Sequence, residues 1–123
     1  MSDIASARRM MAAFIFIVYG PICWASQLLM IYGGQSALCA FGTVSQPAIT
    51  IYVVVASIVT AALAAAGMIW PGGLYRLMAG EPPAPDQRGF LFWVMRALNA
   101  LSLLAMLYAA LGSVMLPACG ALR

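Results

Sequence analysis

Apolar residues gather in three long stretches, at about residues 10–32, 49–70 and 90–116. Each stretch reaches the roughly 20 apolar residues that a helix needs to cross a bilayer core about 30 Å thick. Core helices of soluble domains are rarely this long and this uniformly apolar. The pattern therefore predicts an all-α membrane protein with three transmembrane helices, forming a single membrane domain over residues 1–123.

Proline positions support these boundaries, with one exception. Pro47 precedes the second stretch, where a missing N–H costs nothing, and Pro71 and Pro117 follow the second and third stretches. Gly20 and Pro21 lie inside the first stretch instead. Because proline removes a helical hydrogen bond, we expect a kink at this pair.

Positive charge predicts the orientation in the membrane. Four arginines precede the first stretch or lie between the second and third, and one lies at the C-terminus: Arg8, Arg9, Arg76, Arg88 and Arg123. The positive-inside rule then predicts a cytoplasmic N-terminus, a cytoplasmic Pro-rich loop over 71–89, and a periplasmic 33–48 loop and C-terminus. The absence of lysine is typical of a GC-rich bacterial gene, so we expect the bacterial inner membrane. We expect no cleaved signal peptide, because the first apolar stretch is too long and no A-x-A site follows it cleanly.

Composition excludes several kinds of site. The chain of 123 residues is 65% hydrophobic and 7% charged, and its net charge of +3 is too small for a nucleic-acid surface. Histidine is absent, which excludes His-ligated haem, zinc or copper and His-dependent catalysis. The three cysteines lack CxxC spacing. We therefore expect no catalytic residue, no metal and no cofactor, and a chain that is not itself an enzyme.

Cys39 and Cys119 follow the first and third stretches, on the side predicted to be periplasmic. Disulfides persist in that compartment, and unpaired thiols there are a liability, so we favour a bond between them. Two free thiols are the alternative, because sequence does not reveal the Cα separation of about 5.5 Å that a bridge needs. Cys23, in mid-stretch, is expected to behave as a small buried apolar residue.

Arg96 is the one charged residue inside the predicted spans. Its side chain either snorkels to the headgroups past Trp93, or faces inward and binds a lipid phosphate or a carboxylate of a partner protein. Asn99 follows three residues later and shares or borders the same helix face. Arg96, Asn99 and Trp93 are therefore the candidate lipid- or partner-binding residues.

Polar residues in the spans also predict helix packing. Gln27 lies on one helical stripe with Gly20 and Cys23, and Ser102 lies near Asn99. We expect Gln27, Asn99 and Ser102 to pack between helices, with Gln27 and Asn99 as natural hydrogen-bond partners. Small residues also recur every four positions and predict close helix contacts: Ala56, Thr60 and Ala64; Ser57, Ala61 and Ala65; Ala105, Ala109 and Ser113.

Two segments of the sequence carry a resemblance to a known protein family. They are Gly20-Pro21-Ile22-Cys23-Trp24, followed by Tyr32 and Cys39-Ala40, and Pro117-Ala118-Cys119-Gly120. On these residues the chain resembles small three-helix inner-membrane proteins of proteobacteria, which are similar to accessory chains encoded beside haem–copper terminal oxidases. A histidine commonly follows the tryptophan in that family, where this chain has Ala25-Ser26-Gln27. The resemblance therefore implies an oxidase partner, but no metal or haem role at that position.

These features favour a non-catalytic accessory or structural subunit of a larger inner-membrane complex, packed through its small-residue helix faces. The expected partners are other integral-membrane subunits, a respiratory terminal oxidase by the resemblance, and phospholipid. One alternative is a small homo-oligomeric transporter or channel with a path lined by Gln27 and Asn99. Another is a membrane redox or group-transfer enzyme that uses Cys39 or Cys119, although the sequence supplies no group to activate either thiol.

Overall fold

A computed structural model describes residues 2–42, 44–117 and 119, and all regular secondary structure within them is helical. The helices are α1 (Ser2–Ile17), α2 (Tyr19–Phe41), α3 (Gln46–Ile69), α4 (Pro71–Ala79) and α5 (Pro85–Met115). Helices α3 and α5 are each long and apolar enough to cross a membrane. The bent pair of α1 and α2 meets the same criterion as one segment, so the chain has two or three candidate membrane spans.

Helices α2, α3 and α5 pack against one another in all three pairs, and we call them the core bundle. Helix α3 runs antiparallel to α2. Tyr19, at the start of α2, accordingly bonds to Leu63 near the end of α3. Helix α5 runs parallel to α2, since Gly20 lies against Asn99 and Gln27 against Met106.

The core bundle buries many small and polar side chains and exposes large apolar ones. Its buried positions include Gln27, Asn99 and Ala64, each 0% exposed. By contrast, Leu104 is 66% exposed and Ile58 is 63% exposed. Water would solvate such an apolar surface poorly, whereas lipid solvates it well and leaves helix contacts to small and polar residues. This distribution is that of a protein whose surroundings are apolar.

The first apolar stretch is broken rather than continuous. Helix α1 ends at Ile17, α2 begins at Tyr19, and the two axes meet at 58°. Pro21 has no N–H to donate to the Ile17 carbonyl, whereas Ile22 N–H does reach the Val18 carbonyl at 2.9 Å. The break therefore lies where Gly20 and Pro21 predicted a kink, with the intervening Val18 outside both helices.

Helix boundaries differ from the predicted spans in two other places. The predicted 33–48 loop is helical as far as Phe41, because Gly33 and Gly34 do not interrupt the helix. The helix ends at Gly42, whose left-handed backbone conformation (φ 67°) is a common helix C-cap. The predicted 71–89 loop begins with a helix, since Pro71 occupies a first-turn position where proline is favourable. Only the Pro-rich part, residues 80–84, connects helices.

Helix α1 packs against α4 and against α5 beside the core bundle, and we call this region, with the first turns of α5, the aromatic cap. Phe16, 0% exposed, stands edge-on to Tyr75 with ring centroids 5.3 Å apart. Its ring also lies 5.8 Å from that of Phe92. Leu91 and Met95 complete this cluster. The cap thus joins three segments that are distant in sequence at the end of the bundle where α2 and α5 begin.

Candidate functional site

Gln27 is buried at the centre of the core bundle. Its Nε2 donates to Ser57 Oγ at 3.1 Å on α3 and to the Met106 carbonyl at 3.3 Å on α5. Its Oε1 has no hydrogen-bond partner among the described residues. One amide therefore connects all three helices, and its own oxygen is left as a buried acceptor.

Asn99 is buried nearer the cap and makes a different contact. Its Nδ2 donates to the Ala64 carbonyl at 2.6 Å, while its Oδ1 also has no partner in the described part of the chain. The predicted hydrogen bond between Gln27 and Asn99 is not formed, since each amide nitrogen donates to other partners. Because α2 and α5 run parallel, Gln27 lies level with Met106, and Asn99 lies level with Gly20.

Gly20 allows α2 to approach α5 at this level. A Cβ atom on Gly20 would lie 2.6 Å from Asn99 Oδ1 and 2.7 Å from its Cα, inside any real contact distance. Ser102 lies at the same crossing, with its Oγ 3.1 Å from that position, and donates to the Leu98 carbonyl on its own helix. Ser102 is thus buried between helices as packing, without bonding across them.

Two tyrosine–glycine contacts, which sequence reasoning missed, join α2 to α3. Tyr52 donates to the Met30 carbonyl at 2.8 Å, and its ring covers Gly34 four residues later. At the other end, Tyr19 donates to the Leu63 carbonyl at 2.8 Å and covers Gly67, again four residues later. The repeated spacing is a consequence of helix geometry, since a residue four positions on lies on the same face. The signal in the sequence was a tyrosine near the start of each helix, Tyr19 in α2 and Tyr52 in α3.

The three candidate lipid- or partner-binding residues divide into two environments. Arg96 is exposed on α5, and Trp93 is 71% exposed. Asn99 is 0% exposed and occupied by the Ala64 carbonyl, so it does not share their surface. Arg96 therefore faces outward, and the predicted alternative of an inward-facing arginine is wrong.

Five exposed arginines lie at the cap end of the molecule: Arg8, Arg9, Arg76, Arg88 and Arg96. Within the described ranges, the one ion pair joins Arg9 Nη2 to Glu81 Oε2 at 2.9 Å, linking α1 to the connection before α5. The guanidinium of Arg88 lies 5.4 Å from the Phe92 ring centroid. Arg123, the arginine assigned to the opposite side, lies outside the described residues.

The opposite end carries the cysteine pair. Cys39 and Cys119 lie at disulfide distance, with Cα atoms 5.8 Å apart and a sequence separation of 80. Their neighbours Ala118 and Gly120, which contributed to the resemblance, lie outside the described residues. A cavity of about 450 Å³ adjoins the pair and includes Tyr32 and Tyr108 in its lining. Cys23 is a free, buried thiol within the core bundle.

A long apolar groove runs along the outside of the core bundle between α2 and α5. Its volume is about 680 Å³, and it is lined by Trp24, Leu101, Leu104, Ala105, Leu107, Tyr108, Ala109 and Leu111. Ala105 and Ala109 are four residues apart and belong to one of the small-residue ridges noted in the sequence. This ridge therefore borders an open groove, whereas Ala56, Thr60 and Ala64 are buried inside the bundle.

Across the residues that the structure describes, no three His, Cys, Asp or Glu side chains come together to hold a metal ion. Comparison with protein-family models, with curated proteins and with solved structures finds no match to this chain. The groove, the exposed arginine and the buried amides are therefore the features that bear on function.

Proposed function

We propose that this chain is a non-catalytic accessory subunit of a larger complex in the bacterial inner membrane. The observation that carries the proposal is the groove between α2 and α5. A transmembrane helix docks closely where small residues replace bulky ones, and van der Waals contact then drives association. Ala105 and Ala109 provide such a ridge in a groove lined otherwise by leucines and two aromatic residues. The occupant is a transmembrane helix of a partner subunit.

The proposed orientation puts the aromatic cap in the cytoplasm and the Cys39–Cys119 pair in the periplasm. Five exposed arginines at the cap end support it through the positive-inside rule. The favoured partner is a respiratory terminal oxidase, which rests on the resemblance of the Gly20-to-Trp24 and outer cysteine segments alone. No step of that enzyme's chemistry is assigned to this chain.

Transport by a homo-oligomer is not favoured by the geometry of the polar residues. Gln27 and Asn99 are each 0% exposed, and their amide nitrogens are occupied by neighbouring helices. None of the cavities described above includes either side chain. These two residues are better explained as interhelical packing.

The test is extraction of tagged protein from its native membrane in a mild detergent, followed by native mass spectrometry. We expect a heteromeric complex of fixed stoichiometry, retained in Ala100→Trp and lost in Ala105→Trp. Ala100 is the matched control, because it is an exposed alanine of α5 outside the groove. Circular dichroism of each purified variant checks that the helices persist. A homo-oligomer without other subunits, or a complex unaffected by Ala105→Trp, would contradict the proposal.

A further inference from the structure

Arg96 lies on α5 where aromatic surface gives way to aliphatic surface. Trp93, one turn earlier, is 71% exposed, and Phe92 belongs to the aromatic cap. On the same side of the helix, Leu104 is 66% exposed and Leu107 is 59% exposed. An arginine at such a border has its charge beside the headgroup layer and its helix beside hydrocarbon.

The chain itself supplies Arg96 with no counterion within the described residues. There are three acids in the whole sequence, and one of them, Glu81, pairs with Arg9 at 2.9 Å. Asp86 is ten positions earlier on α5, which separates the two Cα atoms by about 15 Å along the axis. An exposed guanidinium in these surroundings binds an anion that comes from outside the chain.

We infer that Arg96 and Trp93 form a binding site for one anionic phospholipid of the cytoplasmic leaflet. The lipid phosphate accepts paired hydrogen bonds from the planar guanidinium, a geometry in which arginine exceeds lysine. The Trp93 ring lies at headgroup level, where tryptophan is enriched in membrane proteins. This site goes beyond the proposed subunit role, and only the choice of leaflet rests on the orientation proposed with it.

The direction of the side chain supports this assignment. Side chains on an α-helix tilt toward its N-terminus, and the N-terminus of α5 lies at the arginine-rich end. The Cα–Cβ bond of Arg96 therefore tilts toward the level of Trp93, where phosphates lie in the proposed orientation. From Arg96 to Leu107 the helix rises about 16 Å, close to half of a roughly 30 Å hydrocarbon core. An acyl chain of one leaflet thus matches the leucine stripe formed by Leu104 and Leu107.

A carboxylate on a partner protein is the competing anion for Arg96. The groove proposed for a partner helix does not include Arg96 or Trp93 in its lining. Leu104 and Leu107 belong to that lining, whereas the headgroup site at Arg96 and Trp93 lies outside the partner interface. Lipid is favoured because every membrane position outside the groove is in contact with it.

The test uses the full chain in mild detergent, titrated with phosphatidylglycerol or phosphatidylcholine of identical acyl chains and analysed by native mass spectrometry. We expect the wild type to retain phosphatidylglycerol at least about fivefold better, the gain typical of one basic residue beside an anionic headgroup. Arg96→Gln should abolish that preference and Arg96→Lys should keep part of it. Arg88→Gln is the control that should keep all of it, since it removes another exposed arginine of α5. Glycerol phosphate, which has no acyl chain, should not compete.

A second measurement uses wild-type Arg96 and so does not depend on the folding of its variants. With Trp24 and Trp70 replaced by phenylalanine, Trp93 fluorescence should be quenched more by brominated phosphatidylglycerol than by brominated phosphatidylcholine in vesicles. Equal retention and equal quenching of the two lipids would overturn the inference. So would competition by glycerol phosphate, which would indicate a simple anion site, or an equal loss in Arg88→Gln. Loss of a partner subunit in Arg96→Gln with unchanged lipid preference would assign Arg96 to a carboxylate instead.

Discussion

The core bundle and the aromatic cap are held together by opposite kinds of side chain. At the bundle crossing, Gly20 lets Asn99 approach so closely that a single added methyl group would collide with it. In the cap, Phe16 fills the space between α1, α4 and α5 and meets two other aromatic rings. The bundle is therefore sensitive to added volume and the cap to removed volume. The bundle thus depends on close helix approach at small residues, and the cap depends on burial of a bulky apolar side chain.

The largest expected effect tests whether the end of the bundle opposite the cap needs a covalent connection. Reduction of a bond between Cys39 and Cys119 should lower the free energy of unfolding by about 4–5 kcal/mol in the chain-entropy description of a loop this long. Thermal unfolding in detergent, with and without reductant, measures it. Reductant should have no effect on Cys39→Ser, which serves as the control. An unfolding midpoint that reductant leaves unchanged in the wild type would contradict a structural disulfide.

Removal of volume from the cap should have the next largest effect. Phe16→Ala should cost about 3–5 kcal/mol through lost burial and an unfilled cavity. Phe14→Ala is the matched control, because Phe14 is on the same helix and 67% exposed. Hydrogen exchange should accelerate in α1 and α4 in the first variant and stay unchanged in the second. Acceleration that is equally strong in the middle of α3 would mean that cap and bundle are one cooperative unit.

Addition of volume to the bundle should have the smallest effect of the three, and it is the sharpest test of the contrast. Gly20→Ala should lower stability by about 1–3 kcal/mol, since the new methyl group collides with Asn99. Gly33→Ala, on the same helix with open space around its Cβ position, should be neutral or slightly stabilising because alanine favours helix. Unfolding midpoints of the two variants decide between these outcomes. Equal stability of both variants would show that α2 and α5 do not approach so closely.

The apolar pattern predicted the long helices α3 and α5 to within a few residues, because their lengths and uniform hydropathy leave little alternative in a membrane. It did not predict α4, because a proline that follows one helix can also occupy the first turn of the next, as Pro71 does. The stripe containing Gln27 was predicted to be buried, and it is. Its partners were not predictable, because the axial register and the facing sides of two helices do not appear in the spacing along either one.

The tyrosine–glycine contacts are a second case in which the pattern along one helix does not reveal its interhelical partner. The position of Tyr52 near the start of α3 does not indicate its hydrogen bond to the Met30 carbonyl. Its role depends on the facing helix, where Gly34 leaves room for the ring. Single-helix periodicity carries no information on that partner. Pairs of this kind become visible only when two helices are placed side by side.

The aromatic cap is built from segments that are synthesised at different times. Phe16 is made early, but Tyr75 and Phe92, the rings that cover it, are made much later. Until residue 92 has been made, this phenylalanine lacks one of the two rings that cover it. A chain truncated before α5 would therefore leave Phe16 covered by Tyr75 but not by Leu91, Phe92 and Met95, and only the finished polypeptide buries it fully.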